Sequence, residues 1–178
     1  MNDPLLRARA GDADAFVHLV RGQDARLRRL AFRILGDRDR TDDVLQEAYL
    51  RAFRSLGTFR GGSELGSWLY RITYNCCIDE IRASGRRPRP VEDLPEVQAP
   101  GSEPGGKVAV QEAVRDALQA LPVDQRAAVL LVDGGELDYS GAAEVLGVPR
   151  GTVASRVARA RHALRVSLAL EKESFDER

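Results

Sequence analysis

An all-α chain of two small helical domains is what this sequence predicts, on three observations. Apolar residues recur at helical spacing on both sides of the middle of the chain, strand signals are absent, and one central segment rich in proline and glycine interrupts the period. That segment, residues 84–107, holds five prolines and four glycines, carries Glu92, Asp93, Glu96 and Glu103, and reads as an extended linker. It divides residues 1–83 from residues 108–170, and residues 171–178 follow as a short charged tail expected to fray. Joined this way, the two domains are expected to tumble semi-independently until a partner fixes them.

In the first domain Ala15, Phe16, Leu19 and Val20, then Leu27, Leu30, Ala31, Ile34 and Leu35, have the spacing of packed helices, and Gly36 supplies a stop. A helix opening near Thr41 or Asp42 places acids at its positive end and buries Leu45, Tyr49, Ala52, Phe53 and Leu56 before Gly57. The loop from Phe59 to Gly66 then leads to a helix with Ser67 as its N-cap. On that helix Leu69, Ile72 and Cys76 share one side, with Trp68 at its border. Arg71, Asn75 and Arg82 line another stripe, with Tyr70 and Tyr74 beside them. Rings stack on bases, guanidinium groups seek phosphates, and an asparagine can hydrogen-bond the edge of a flipped base, so the constellation suits single-stranded DNA. Aromatic residues at this spacing more often serve as plain core.

In the second domain Val110, Val114, Ala117, Leu118 and Leu121 form a helix stopped by Pro122, and a shorter one runs through Val129 and Leu130 to Gly134-Gly135. From Asp138 to Leu164 the spacing is that of a helix-turn-helix. Ala143 lets two helices cross closely, Gly147 takes the positive φ that ends the first, and Pro149 sits where only a first helical turn tolerates it. Val153, Val157, Ala160, Leu164 and Leu168 give the second helix a packing face, while Arg150, Thr152, Ser155, Arg156 and Arg159 point elsewhere. Five arginines and no carboxylate between Arg150 and Arg165 create a local field suited to a phosphate backbone, in a chain whose formal net charge is zero.

Composition excludes several classes of function. No apolar run approaches the roughly 20 residues of a membrane span, and Met1-Asn2-Asp3-Pro4 lacks the basic and apolar parts of a signal peptide, so a cytoplasmic protein without membrane insertion is expected. Cys76 and Cys77 are adjacent, about 100° apart on a helix, which suits neither a disulfide nor zinc. One is expected in the core and one at its rim. His18 and His162 have no companion acid motif, and neither a phosphate-cradling glycine loop nor a nucleophile elbow occurs. No catalytic residue, metal, cofactor or small-molecule substrate is therefore expected.

The run from Asp42 to Phe53, then Phe59-Arg60-Gly61 and Ser67-Trp68-Leu69-Tyr70-Arg71-Ile72, resembles region 2 of bacterial RNA polymerase sigma factors of the extracytoplasmic-function group. Leu121-Pro122, Asp124-Gln125-Arg126, Leu137-Asp138-Tyr139 and the run from Gly151 to Arg161 resemble region 4 of the same group. The resemblance implies a dissociable subunit that binds core RNA polymerase, reads a double-stranded -35 promoter element, melts a -10 element and holds its single strand, and is controlled by an anti-sigma factor. It assigns Asp43, Gln46, Glu47, Leu50 and Phe53 to the core polymerase, although Gln46 and Glu47 by spacing alone suit an ordinary solvated face. It assigns Arg60, Trp68, Tyr70, Arg71, Tyr74, Asn75 and Arg82 to the -10 element, and Arg150, Thr152, Ser155, Arg156 and Arg159 to the -35 element. The acidic linker falls where the family threads toward the RNA exit path.

Two departures from the family pattern bear on the upstream domain. Gly141 replaces a helix-favouring acid, which costs about 1 kcal/mol of propensity, and Ala154 stands where a lysine or arginine is common. Both imply weak DNA binding by that domain alone. An autonomous helix-turn-helix regulator and a helical adaptor remain as alternatives. The first would need a dimerisation surface, and the second would need neither the arginine field nor the Trp68 to Asn75 constellation.

Overall fold

The computed structural model describes residues 3–59, 65–86, 105–134 and 137–176. Among them all regular structure is helical: α1 (Pro4–Arg9), α2 (Ala13–Leu35), α3 (Arg38–Ser55) with a 3-10 turn (Leu56–Thr58), α4 (Leu65–Arg86), α5 (Gly105–Ala120), α6 (Val123–Asp133), α7 (Tyr139–Leu146) and α8 (Arg150–Asp176).

Short polar side chains set the helix starts. Asp3, Asp12, Asp37 and Asp138 each accept a backbone N–H of the first turn, from Leu5, Ala15, Arg40 and Gly141 respectively, at 2.7–3.0 Å. Gly36 and Gly147 end α2 and α7 in the left-handed region, at φ 73° and 65°, where a Cβ would be strained.

Several boundaries differ from the sequence reading. The apolar positions from Ala15 to Leu35 lie on one helix, and α1 precedes it, signalled by Asp3 as cap and Pro4 in the first turn. Because Asp37 is the cap, α3 opens at Arg38, and Thr41 is a buried helix residue whose hydroxyl donates to Asp37 O at 2.5 Å. α4 opens at Leu65, which puts Ser67 inside the helix rather than at its cap. Both ends of residues 84–107 are helical, in α4 and α5, and the acids Glu92, Asp93, Glu96 and Glu103 lie outside the described residues. α8 continues to Asp176, through residues expected to fray, because no proline or glycine follows Gly151 within it.

In the first body α2, α3 and α4 pack on one another, with α1 laid against α2; in the second, α8 packs on α5, α6 and α7. The bodies also meet. α4 packs on α7, α2 packs on α5 and α6, and the buried apolar residues form one cluster running through both halves. Independent tumbling was the expectation from the linker alone, and the structure docks the halves instead, through contacts that no local pattern encodes. Among the described residues no helix is long and apolar enough to cross a membrane.

Candidate nucleic-acid interface

The helix-turn-helix is held by its punctuation. Val148 donates its N–H to Ala143 O at 3.2 Å across the turn, and α8 then starts at Arg150. Val153, Val157 and Ala160 are fully buried, whereas Leu164 is only partly so, because the packing face leaves the core toward the end of α8. On the other side Arg150, Ser155 and Arg159 are exposed, while Thr152 and Arg156 are half-buried. Arg156 is tied to Asp124 at 3.1 Å. Arg161 turns back to Asp133, with bonds of 2.8 and 2.5 Å that hold that carboxyl below its ordinary range. The arginine field of the sequence therefore splits into outward cations, Arg150 and Arg159, and cations engaged within the fold.

α4 buries Leu69, Tyr70, Thr73, Cys76 and Cys77 and exposes Arg71, Asn75 and Arg82. Trp68 and Tyr74 are half-buried. Trp68 leans on Phe59 with ring centroids 5.2 Å apart, and Arg9 lies over the Phe59 ring and donates to Phe59 O. Tyr70, at 2% exposure, presents no ring face to a base in this arrangement, so it belongs to the core. Tyr74 looks toward the second body, where Arg156 and Asp124 are in electrostatic reach, and its burial raises the phenol pKa. Arg60 lies outside the described residues. Cys77 is buried like Cys76 rather than at a rim, and burial pushes its thiol up to about 12, which keeps it protonated at neutral pH. Among the described residues no group of three or more His, Cys, Asp or Glu side chains could hold a metal ion.

On α3, Asp43, Gln46 and Leu50 form an open stripe, with Leu50 44% exposed. Glu47 accepts from Arg51 at 2.7 Å, Arg51 also reaches Asp79 at 2.8 Å, and Phe53 sits edge-on to Phe16 with 5.2 Å between centroids. Glu47 and Phe53 therefore lie at the margin of the stripe rather than fully open.

Sequence reasoning missed Arg126, the charged side chain that joins the two bodies. It is 8% exposed and donates to Ile34 O at 2.5 Å, to Gln119 O at 2.6 Å and to Leu121 O at 3.0 Å, with a further bond to the Gln119 side chain. Its place between a proline-ended helix and the apolar run Ala127 to Leu131 was the available signal, but an arginine there reads by default as solvated.

The Sigma-70 region 2 family matches residues 19–87, and the Sigma-70 region 4 family matches residues 111–164. The chain is 42% identical over 162 residues to the ECF RNA polymerase sigma factor SigM of Mycobacterium tuberculosis (strain ATCC 35801 / TMC 107 / Erdman), covering 90% of this chain and 81% of that one. It is 34% identical over 171 residues to the ECF RNA polymerase sigma-E factor of Escherichia coli (strain K12), covering 89% and 88%. Among solved structures it resembles the sigma factor RpoE from Bartonella quintana, crystallised with the anti-sigma factor NepR, at TM-score 0.69 and 28% identity over 86% of this chain and 96% of that one. The fold is also shared with CnrH, solved with the cytosolic domain of CnrY, at TM-score 0.72 and 24% identity over 94% and 96%. With both region matches in chain order over most of its length, this chain belongs to the extracytoplasmic-function group of sigma-70 RNA polymerase sigma factors.

Proposed function

We propose that this sigma factor docks on core RNA polymerase through Asp43, Gln46 and Leu50 of α3, with Glu47 and Phe53 at the edge of the contact. It reads a -35 element with Arg150, Thr152, Ser155, Arg156 and Arg159 of α8, and holds the melted -10 strand with Arg71, Asn75 and Arg82 of α4, flanked by Trp68, Tyr74 and Arg60. The functional division follows residues 1–83 and 108–170, with the acidic residues of 84–107 entering the polymerase and residues 171–178 as a tail. The factor makes and breaks no covalent bond itself, works in the cytoplasm beside the polymerase, and is held in check by an anti-sigma factor, as the similarity to RpoE of the NepR complex suggests. The observation that carries this reading is the division of α8 into a fully buried face, Val153, Val157 and Ala160, and an outward face bearing Arg150, Ser155 and Arg159. Such a helix packs and presents donors to a major groove at once.

The test begins with reconstitution: the protein should co-elute with core polymerase and start transcription at a promoter that core alone ignores. A stand-alone regulator or an adaptor would fail the second half. Asn75→Ala should leave polymerase binding and the closed complex nearly intact but slow open-complex formation about tenfold, because the flipped base loses its partner while its unstacking cost remains. A pre-melted bubble should restore most of the rate. Equal permanganate reactivity of -10 thymines for mutant and wild type on duplex promoter would remove Asn75 from the role.

Arg159 is the cleanest probe of the upstream contact, being exposed on α8 and unpaired with any described acid. Arg159→Ala should cost promoter binding about 1–3 kcal/mol if the guanidinium reads a base, with specificity relaxed at one position, or lower affinity evenly with a shallower salt dependence if it meets a phosphate. Filter binding across a salt series separates the two, and an unchanged affinity and slope would exclude both.

A further inference from the structure

The second half of α2 sets one large ring among arginines. Arg28, Arg29 and Arg33 are exposed, and Phe32 between them is half-buried. Among the described residues the Phe32 ring stacks on no other ring. It lines a cavity of about 510 Å3 between α2 and the start of α3, together with Arg28, Arg29, Arg38 and Asp42. A second hollow of about 580 Å3 adjoins the first, sharing Arg29, Phe32 and Arg38 and adding Arg33. Its far wall is α5, where Val110 and Val114 are exposed and Leu118 is buried. Either volume suits a small organic ligand, for which cavities of roughly 300–1,000 Å3 are usual.

The charge of this groove is lopsided. Across the two hollows Arg28, Arg29, Arg33, Arg38 and Arg115 stand against two carboxylates, Asp42 and Glu112, in a chain whose formal net charge is zero. Asp42 is already engaged by Arg28, which also lies 3.9 Å from Asp24. Arg115 pairs with its neighbour Asp116 at 3.3 Å. The side chains of Arg33 and Arg38 make no ion pair among the described residues. Arg38 is also the first residue of α3, so the positive end of that helix dipole adds to its field. Guanidinium groups fork two donors onto a phosphate, and an aromatic face stacks on a base. An acidic peptide would spread its charge along a strand or helix, whereas these cations gather around a single ring.

We propose that the groove between α2, α3 and α5 binds a nucleoside triphosphate, with Arg33 and Arg38 on the phosphates and the base over Phe32 against Val110 and Val114. The ligand matches the groove in both of its parts: concentrated negative charge for the unpaired guanidinium groups, and a flat apolar body for the ring and the exposed valines. None of these residues is assigned above to the polymerase or to the promoter, so the site stands whether or not those assignments hold.

The test is equilibrium dialysis of the full chain against labelled ATP at physiological salt, with AMP, inorganic pyrophosphate and a short single-stranded DNA as competitors. ATP should bind saturably, and AMP and pyrophosphate should each compete at least about tenfold more weakly, since one lacks the charge and the other the base. Arg38→Ala should weaken ATP about tenfold, the loss of one charge-assisted bond. Phe32→Leu keeps an apolar side chain in place, so it should weaken ATP about tenfold while leaving pyrophosphate unchanged. Arg21→Ala removes an exposed arginine of the same helix outside the groove and should change neither. Pyrophosphate competing as well as ATP would reveal a patch for anions without a place for a base. Equal weakening by Arg21→Ala and Arg38→Ala would reduce the effect to the general charge of α2. Displacement of ATP by the single strand at lower concentration would make the groove a strand-binding surface. Each of these results, like the absence of saturable ATP binding, would overturn the proposal.

Discussion

Val153→Asp should unfold the second body at room temperature while Arg159→Ala, six residues further along the same helix, leaves its melting point unchanged. Val153 has no exposed surface and sits where α8 crosses onto the core. An uncompensated carboxylate there carries an effective penalty of several kcal/mol, against a total stability of roughly 5–15 kcal/mol for an ordinary domain. Val153→Ala, which removes two methyl groups and adds no charge, should cost only about 2 kcal/mol and remain folded. The aspartate variant should also depend on pH in a definite sense. Burial raises the folded-state pKa of the new carboxyl above its unfolded value near 4, so the native state binds the extra proton and stability falls as pH rises above that value. Circular dichroism at pH 4 and pH 7 would then show a smaller loss at the lower pH, after correction for the wild type. Amide exchange should place the damage in α5–α8, and intact protection there at pH 7 would mean that Val153 is not a core position in solution.

The elements that punctuate themselves were legible from the sequence. Gly36, Gly147 and Pro149 have one conformational use each, and the faces of α2 and α8 follow a period that any helix must obey. Helix starts were harder, because an aspartate that caps and an aspartate that merely lies in the first turn look alike in a string. That ambiguity moved the start of α3 from near Thr41 or Asp42 to Arg38. On α4, Arg71, Asn75 and Arg82 form the exposed stripe that the sequence spacing gave, whereas Tyr70, read beside that stripe, is buried in the core. A ring at the edge of a stripe serves either side, and only the third dimension says which. The contact between the halves was illegible for a different reason: it joins positions some 90 residues apart through backbone carbonyls, which leave no mark in side-chain spacing. The linker argued for separation, and the orphan carbonyls of α2 argued against it without being visible.

Arg126→Met should lower stability by about 2–4 kcal/mol although the replacement is apolar and keeps the volume of the arginine's aliphatic stem. In the native protein the guanidinium satisfies Ile34 O, Gln119 O and Leu121 O from a position 8% exposed, and only its Nε has no hydrogen-bond partner. Burial alone pushes its pKa below the usual arginine value, a sign that the charge itself is costly there. Methionine relieves that cost but leaves the carbonyls without donors, each worth about 1–3 kcal/mol when buried and unpaired, so the lost bonds outweigh the relieved charge. Arg126→Lys separates the two effects: a compact ammonium keeps the charge but cannot fork between acceptors on both bodies, so it should fall between wild type and methionine. Gln119→Ala, which removes one half-exposed donor, should cost no more than about 1 kcal/mol. Urea midpoints with a common slope would rank the three, and amide exchange would show the last turn of α2 losing protection in Arg126→Met, although the substitution lies in α6. If methionine instead left the midpoint unchanged or raised it, the arginine would be a tolerated burden rather than the tie between the two bodies.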